Sequence, residues 1–389
     1  MENAAAAGRF APTALMLGNV VTGCSVLAPA GMLPELASGL DISIRTAGLL
    51  ITFGAITLCI GSPLTAWLTS RIERRTLLTA TLAVLALGNI ASALAPDYTS
   101  LLVIRLVMLA VGALYTPQAA GTAALIVPAE KRGSTIAYVF LGWSLAAAVG
   151  LPLITFIASR YGWRAAYAEV GVLGCLSFVL LALRLPAGLK GTPVDLKTWA
   201  DVGRSRIIVL LLAITMLQMS GQFVVFTFMG PLLKTLTDAG PDAIGLVFGL
   251  YGLCGFLGVA IATRIVDTWG PYKTSVLFTS LLLTGVAGWA LTSGNFAAMA
   301  AAVAIWGLGF ASTNSMQQVR LVTAAPALAP ATVSLNTSVL YIGQAVGSAI
   351  GGALFGRELP HASGFVAAGF VAVALAIVVL TRPRAAVQV

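Results

Sequence analysis

Charged side chains are scarce in this chain. Only 9% of its 389 residues are Asp, Glu, Lys or Arg, whereas water-soluble domains carry about a quarter. Histidine occurs once and cysteine four times, and no spacing among these residues is typical of a metal site. Hydrophobic residues make up 59% of the chain and the mean hydropathy is +0.97. These deficits exclude a water-soluble protein, and no polar stretch is long enough to fold as a soluble catalytic domain.

Apolar stretches of membrane-spanning length recur twelve times, with short connections between them. A bilayer core takes about 20 apolar residues per helix. The runs at 77–95 and 365–380 are apolar on every face, unlike the alternating strands of a membrane β-barrel, so we predict helices. The predicted spans are 11–36, 46–69, 76–95, 99–126, 134–158, 163–184, 206–233, 243–268, 274–293, 296–322, 330–356 and 363–381.

The basic residues are distributed unevenly between the two sides of these spans. The net charge is +9, and of 22 lysines and arginines 16 fall on the side of the N-terminus, 5 on the opposite side and Arg105 within a span. Cytoplasmic loops of membrane proteins carry such an excess. We therefore predict that both termini are cytoplasmic, and the basicity does not indicate a nucleic-acid partner.

The two halves of the chain repeat each other. Pro34 and Pro231, like Gly48 and Gly245, are 197 residues apart. A constant offset of half the chain predicts two homologous units, an N-terminal six-helix bundle at 1–185 and a C-terminal one at 206–389. Residues 186–205, the longest polar stretch, would be the cytoplasmic linker. Repeated halves of this kind are typical of alternating-access transporters, in which the solute binds between the halves near mid-membrane.

The connection after the second span carries a motif. Residues 66–75 read Ala-Trp-Leu-Thr-Ser-Arg-Ile-Glu-Arg-Arg, which resembles the signature Gly-x-Leu-x-Asp-Arg-x-Gly-Arg-Arg of the major facilitator superfamily. The match consists of Leu68, Arg71, Arg74 and Arg75, and the departures are Ala66, Ser70 and Glu73. Three further segments, Gly150-Leu-Pro152, Tyr161–Arg164 and Thr227–Pro231, resemble the drug:proton antiporter and sugar-efflux branch. The resemblance covers the whole chain and implies an all-α membrane protein with the major facilitator fold, twelve transmembrane helices in two pseudo-symmetric six-helix bundles.

The resemblance also implies a gate. In that family the loop latches the outward-facing state: an acid accepts hydrogen bonds at a helix N-terminus while arginines pair across the closed cytoplasmic face. Ser70 stands at the position of the acid and supplies no charge, so we expect a weakened latch. The expected gating residues are Ser70, Arg71, Arg74, Arg75, Asp267, Gly150 and Pro152. The alternative is that the arginines of the loop serve only to anchor the topology.

Two charges fall well inside predicted spans. Arg105 and Glu169 each lie about six residues, or roughly 9 Å, from the non-cytoplasmic surface. Charges in the bilayer are costly and mark candidate functional sites. If the two pair, protonation of Glu169 would release Arg105, and together they would couple transport to protons. Alternatively, Arg105 binds backbone carbonyls of span 1, and Glu169 reaches the interface or pairs with Arg164.

Polar side chains are concentrated on the spans that face the centre in this architecture. They are Asn19, Thr22, Tyr115, Gln118, Trp143, Gln218, Gln222, Tyr251, Asn314, Gln317, Asn336 and Tyr341. Because a polar side chain facing lipid is penalised, we expect these residues to point inward and bind a solute. Uncharged hydrogen-bonding groups beside aromatic rings suit a neutral or amphipathic molecule. Each of them could instead join helices, with about 0.6 kcal/mol per hydrogen bond.

The resemblance implies secondary active transport of a small organic solute by alternating access, with proton-coupled efflux as the expected mode. Uptake by a facilitator or symporter, and a non-transporting membrane sensor, remain as alternatives. Catalysis is not expected, because an intramembrane enzyme would need a cluster of titratable groups at one depth, and only Arg105 and Glu169 are available for one. We expect a monomer in a bacterial inner membrane whose partners are the solute, protons and the lipid bilayer, with no cofactor and no metal.

Overall fold

The predicted spans are helical, and one long helix with a break in it accounts for two of them. A computed structural model describes residues 10–69, 71–128, 132–190, 204–325 and 329–382, and in these ranges it contains helices and no strands. Eleven of the described helices are long and apolar enough to cross a membrane. One of them, Pro241–Leu291, has 51 residues, which is more than twice the length that a hydrocarbon core of about 30 Å requires. Gly270, with φ +78° and ψ 158°, divides it, so the described residues form twelve crossings.

The helices are numbered here by crossing. Spans 1 to 6 are Ala11–Gly31, Ile44–Leu68, Arg74–Ala93, Tyr98–Gly112 with Tyr115–Leu125, Arg132–Leu145 with Leu151–Tyr161, and Trp163–Arg184. Span 7 is Arg206–Phe226, spans 8 and 9 are the two parts of Pro241–Leu291, and spans 10 to 12 are Phe296–Ala324, Ala329–Gly356 and Pro360–Leu380. Short helices, Leu33–Gly39 and Met229–Thr237, follow spans 1 and 7. Ser70 and linker residues 191–203 lie outside the described residues.

Local chemistry explains where several helices begin. The Asp97 carboxylate accepts a hydrogen bond from the Ser100 amide (2.8 Å), and Asn295 accepts one from the Ala298 amide (3.0 Å). These side chains cap the first turns of spans 4 and 10. Gly162, at φ +83°, makes the sharp turn between spans 5 and 6, because glycine adopts this conformation without steric cost.

Span 5 contains a π-helical turn at Ala146–Gly150. Pro152 follows two residues later and has no backbone N–H, so the Ala148 carbonyl lacks its usual partner four residues on. A wider helical turn accommodates this defect. The irregular turn therefore follows from the Gly150-Leu-Pro152 sequence.

Burial separates central helices from peripheral ones. In an apolar window of 18 residues, 89% of the residues are buried in span 1 and 33% in span 12. Span 1 packs against spans 5 and 6, and span 3 packs against span 6; in the second half, span 7 packs against spans 11 and 12. The main contacts between the halves form two seams, span 2 with span 11 and span 5 with span 8. The short helix Met229–Thr237 also contacts span 1 and the short helix Leu33–Gly39.

Candidate functional site

The seam between spans 2 and 11 closes the face opposite the termini. The Phe228 ring, in the turn after span 7, covers Gly48 of span 2 and Gly352 of span 11: a Cβ on these glycines would lie 2.4 Å and 3.2 Å from ring carbons. Arg45, at the start of span 2, reaches Gly356 at the end of span 11, where a Cβ would meet its Cδ at 2.8 Å. The glycines leave the room in which side chains of the other half pack.

The seam between spans 5 and 8 runs from the same face to mid-membrane. Gly252 meets the π-helical turn of span 5 so closely that a Cβ would lie 2.1 Å from the Ala148 nitrogen, and Gly245 lies beside Pro152. Gly252 follows Pro241 by eleven residues, which places it about 17 Å from that face. Spans 4 and 10 pack mainly within their own halves. The close glycine contacts of both seams therefore lie between the face opposite the termini and mid-membrane.

In the first half, one polar cluster joins spans 1, 4 and 5. Asn19 donates to the Val139 carbonyl (2.9 Å) and accepts from the Thr116 hydroxyl (2.8 Å), and the indole N–H of Trp143 donates to Thr116 (3.1 Å). Asn19 is fully buried, while Trp143 is half-buried. Two of the predicted solute residues are thus brought together, with Thr116 between them.

In the second half, Gln222 is the centre of an aromatic cluster. Its Oε1 accepts from the Trp306 indole (3.0 Å) and from the Tyr251 hydroxyl (3.4 Å). Tyr251 also packs against Phe226 and Phe310, with ring centroids 4.9 Å and 4.8 Å apart. Uncharged donors beside aromatic rings can bind a neutral molecule through hydrogen bonds and ring faces.

A second cluster in this half links spans 7, 10 and 11. Asn336 accepts from the Thr215 hydroxyl (2.7 Å) and donates to the side-chain oxygen of Asn314 (3.0 Å). Asn336 is buried and Asn314 is half-buried. Tyr341, on span 11, is also almost fully buried.

Other predicted solute residues bond within the protein. Thr22 donates to the Gly18 carbonyl of its own helix (2.9 Å), and Tyr115 donates to the Leu15 carbonyl (3.3 Å). Gln218 donates to Thr279 of span 9 (2.9 Å). Gln118 accepts from Arg74. In this arrangement Tyr115, Gln218 and Gln118 join helices, whereas Thr22 bonds within span 1.

Gln317 of span 10 differs from the other amides. It is fully buried, and neither its Oε1 nor its Nε2 has a hydrogen-bond partner. On span 11, Nε2 of the buried Gln344 is also unpartnered. An unsatisfied buried amide costs about 1–3 kcal/mol, so both side chains would gain from a hydrogen bond to a bound solute.

Arg105 ties span 4 to its neighbours. Its guanidinium donates to the Ser25 carbonyl of span 1 (3.1 Å) and to the Tyr167 hydroxyl of span 6 (3.3 Å), and it is fully buried. The sequence left two possibilities for Arg105, a pair with Glu169 or a hydrogen bond to a backbone carbonyl of span 1. The structure has the second, the bond to the Ser25 carbonyl.

Glu169 is not a hydrogen-bond partner of Arg105, whose Nη atoms donate to Tyr167 and Ser25 and whose Nε has no partner. Glu169 lies two residues after Tyr167, roughly 200° around the helix, and is half-buried. Its Oε2 is buried and has no hydrogen-bond partner. Arg164, the other proposed partner, donates instead to the Ala95 carbonyl (3.1 Å). Across the described ranges, no group of three or more His, Cys, Asp or Glu could hold a metal ion.

The signature loop binds within the first half. Arg74 donates to Gln118 through its side chain and to the Leu189 carbonyl through its amide (2.8 Å), and Arg75 donates to the Ala182 carbonyl (2.6 Å). In this arrangement neither arginine reaches across to the other half. Arg71 and Asp267 are exposed, and Ser70, the residue on which the latch hypothesis rests, is outside the described residues.

Glu73, one of the departures from the signature, holds the start of the linker. Its carboxylate accepts from the Gly188 amide (2.5 Å) and from the Thr76 hydroxyl (2.8 Å). These hydrogen bonds hold the pKa of the Glu73 carboxyl below its usual value, and the bond from the Gly188 amide has the larger effect. The remaining gating residues, Gly150 and Pro152, belong to the turn of span 5 that meets span 8.

Several residues of these clusters were not among the sequence candidates, among them Thr116, Trp306, Ser25 and Tyr167. Trp306 lies on span 10, a predicted central helix, and could have been included on that ground. Ser25 contributes its backbone carbonyl, for which the sequence has no signal.

Comparison with known proteins identifies the family. The family model of the Major Facilitator Superfamily matches residues 15–333 and 211–388, so the chain belongs to this superfamily. It is 32% identical to the inner membrane transport protein YdhP of Escherichia coli K12 over 90% of this chain and 89% of that one. It is 26% identical to a "Probable sugar efflux transporter" of Mannheimia succiniciproducens (89% and 86% covered).

A solved structure has the same fold. The xylose transporter XylE of Escherichia coli, in a partially occluded inward open conformation, matches with a TM-score of 0.75 at 13% identity and covers 98% of this chain and 99% of that one. The predicted fold, twelve helices of the major facilitator type, is confirmed. The membership in a family of membrane transporters is confirmed with it.

Proposed function

We propose that this protein exports a small, neutral or amphipathic organic solute by secondary active transport. The observation that carries the proposal is the geometry of the two seams: close glycine contacts join the halves between one face and mid-membrane. Rocking of residues 1–185 against 206–389 about these seams, with 186–205 as the linker, would expose the region between them to each side in turn. The resemblance to a sugar efflux transporter supports an uncharged solute and the outward direction.

Solute binding is assigned to the central spans of both halves. Gln317 and Gln344 offer unpartnered amide atoms, and the Gln222 cluster offers aromatic faces. In the first half, Asn19 and Trp143 contribute the matching polar cluster. No carboxylate belongs to these clusters, which favours an uncharged solute over a cation.

Proton coupling is assigned to Glu169. Among the described carboxylates it is the one that lies inside a span away from the helix ends, and one of its oxygens is buried without a partner. A carboxylate in this setting gains from taking up a proton, because neutralisation removes the cost of a charge in the bilayer. Arg105 is assigned a positioning role, since its contacts are structural ties.

A transport assay tests both parts. Purified protein in liposomes is screened for thermal stabilisation by sugars, drugs and nucleosides, and the stabilising solute is then used in counterflow with and without a pH gradient. Proton-coupled export requires that the gradient drive accumulation in the wild type. Glu169→Gln should abolish the gradient-driven component and keep counterflow, whereas the exposed control Glu358→Gln should keep both. Accumulation that ignores the gradient indicates a facilitator, and no counterflow of any stabilising solute indicates a sensor.

Orientation follows from the charge distribution, with both termini in the cytoplasm of a bacterial inner membrane. Reporter fusions at the C-terminus, one active only in the cytoplasm and one only outside it, test this orientation. The protein is proposed to act as a monomer, and the mass of the particle in nanodiscs tests that.

A further inference from the structure

A groove lies between spans 5 and 8 on the lipid-facing side of the molecule, next to the seam that joins the halves. Its volume is about 720 Å³, within the range of about 300–1,000 Å³ of ligand clefts. Span 5 forms one wall and span 8 the other, so each half of the protein contributes one side. Any rearrangement that separates these two spans removes the groove.

The walls are apolar and exposed. Val149, Leu153 and Phe156 of span 5 are 59%, 41% and 40% exposed, and Leu246 and Leu253 of span 8 are 58% and 51% exposed. Since these side chains lie within membrane-spanning helices, the molecules that reach them are lipids. An acyl chain is therefore the component that matches the body of the groove.

The mouth of the groove, at the face opposite the termini, carries one charge of each sign. Arg160 continues the stripe of Leu153 and Phe156 by one turn, and its guanidinium carbon lies 4.4 Å from the centroid of the Phe156 ring. On the opposite wall Asp242, at the start of span 8, lines the groove. Both side chains are exposed. An acyl chain lying between the spans would place its headgroup between a cation and an anion.

We propose that this groove binds a phospholipid with a primary-ammonium headgroup of the phosphatidylethanolamine type, with its acyl chain between spans 5 and 8, its phosphate at Arg160 and its ammonium at Asp242. Arginine binds phosphate oxygens through paired N–H donors. A carboxylate accepts hydrogen bonds from an ammonium that carries N–H groups, and a trimethylated choline headgroup has none to donate. The site therefore distinguishes two zwitterionic lipids of the same net charge.

The test uses the full-length protein in nanodiscs that contain phosphatidylethanolamine or phosphatidylcholine with the same diazirine-bearing acyl chain. After photolysis, mass spectrometry of the digest quantifies lipid attached to residues 148–156 and 241–253. The ethanolamine lipid should label these segments at least about threefold more than the choline lipid, which is the discrimination expected of one charge-assisted hydrogen bond at an interface.

Variants separate headgroup recognition from general lipid contact. Asp242→Asn should reduce labelling by the ethanolamine lipid to the level of the choline lipid, and Arg160→Gln should reduce labelling by both. Gly249→Leu should displace both lipids, because Gly249 lines the groove and a Cβ there would make ordinary contacts with Pro152 (3.5 Å) and the Ala148 oxygen (3.6 Å). Asp41→Asn and Arg357→Gln, exposed residues of the same face, are the matched controls and should leave labelling unchanged.

All variants are first compared by size-exclusion profile and apparent melting temperature, and one that fails is replaced by Leu246→Trp as a second groove-filling change. Equal labelling by the two lipids in the wild type overturns the proposal. So does labelling by the ethanolamine lipid that neither Asp242→Asn nor a groove-filling variant reduces, since the lipid would then lie elsewhere.

Discussion

Gly252 of span 8 and Ala148 of span 5 approach each other so closely that no side chain fits between them. A Cβ added to Gly252 would lie 2.1 Å from the Ala148 nitrogen and 2.4 Å from its Cα. Both obstacles are backbone atoms, so a rotamer change cannot relieve the clash. The close packing of the two halves at mid-membrane thus depends on this glycine.

Gly252→Ala should therefore weaken the seam between spans 5 and 8. Overpacking a tight interface costs about 1–3 kcal/mol, and separating the halves at this face relieves it. Spin labels at exposed Ser38 and Thr235, one in each half, should report a longer distance in a background without the native cysteines. Gly121→Ala is the matched control, because a Cβ at Gly121 meets nothing within 4 Å. An unchanged distance distribution in Gly252→Ala would show that the seam accommodates the added Cβ without separation of the halves.

The role of Arg105 as a tie between helices predicts a loss of stability and no change in coupling. Arg105→Met leaves the Ser25 carbonyl without its donor and should lower the free energy of unfolding by about 2 kcal/mol. Tyr167→Phe removes one hydrogen bond and should cost about 1 kcal/mol. Because both variants remove the same bond, the double variant should cost less than the sum. A normal stability of Arg105→Met, together with loss of gradient-driven transport, would assign Arg105 to proton coupling instead.

Replacing glutamine by leucine should change the free energy of unfolding in opposite directions at positions 317 and 218. Gln317→Leu removes two unpartnered polar atoms and should raise the free energy of unfolding by about 1 kcal/mol, whereas Gln218→Leu breaks the bond to Thr279 and should lower it by a similar amount. If Gln317 contacts the solute, counterflow should fall in Gln317→Leu although the protein is more stable. Unaltered counterflow in that variant would remove Gln317 from the solute site.

The hydrogen bond between the Glu73 carboxylate and the Gly188 amide at the start of the linker should depend on pH. Because the Gly188 amide and the Thr76 hydroxyl lower its pKa, the stabilisation is present above the pKa of the free carboxyl and is lost as the pH falls through the lowered value. Hydrogen exchange at the Gly188 amide, corrected for its intrinsic rate, should accelerate on acidification below about pH 4. Glu73→Gln should accelerate it already at pH 7, and Glu358→Gln should not. Equal protection in Glu73→Gln would mean that the backbone bond from Arg74 to Leu189 suffices.

The latch hypothesis predicts that a negative charge at position 70 strengthens the latch. If its missing charge weakens the state closed toward the termini, Ser70→Asp should lower the maleimide reactivity of single cysteines placed on that side of spans 4 and 10. The neutral isostere Ser70→Asn is the control and should leave the reactivity as in the wild type. Equal reactivity of the aspartate variant would remove the latch hypothesis.

The crossings and the family were predictable from the sequence because both depend on local patterns. Hydropathy over about 20 residues predicts a span whatever its neighbours are, and the loop that contains Arg71, Arg74 and Arg75 is itself a contiguous signature. Even the break at Gly270 falls between the predicted spans 243–268 and 274–293. Asn19 and Trp143, both predicted for the central region, do meet through Thr116.

The partners of the buried polar groups were decided by the tertiary structure alone. Equal depth suggested that Arg105 and Glu169 form a pair, but the guanidinium donates instead to the Tyr167 hydroxyl of span 6 and the Ser25 carbonyl of span 1. The packing of the helices also determines which amide side chains, such as that of Gln317, remain without a hydrogen-bond partner. Hydropathy along the chain sets the depth of each residue in the bilayer. The rotation of each helix about its own axis is set by packing against helices distant in sequence, and this rotation determines the contacts of its side chains.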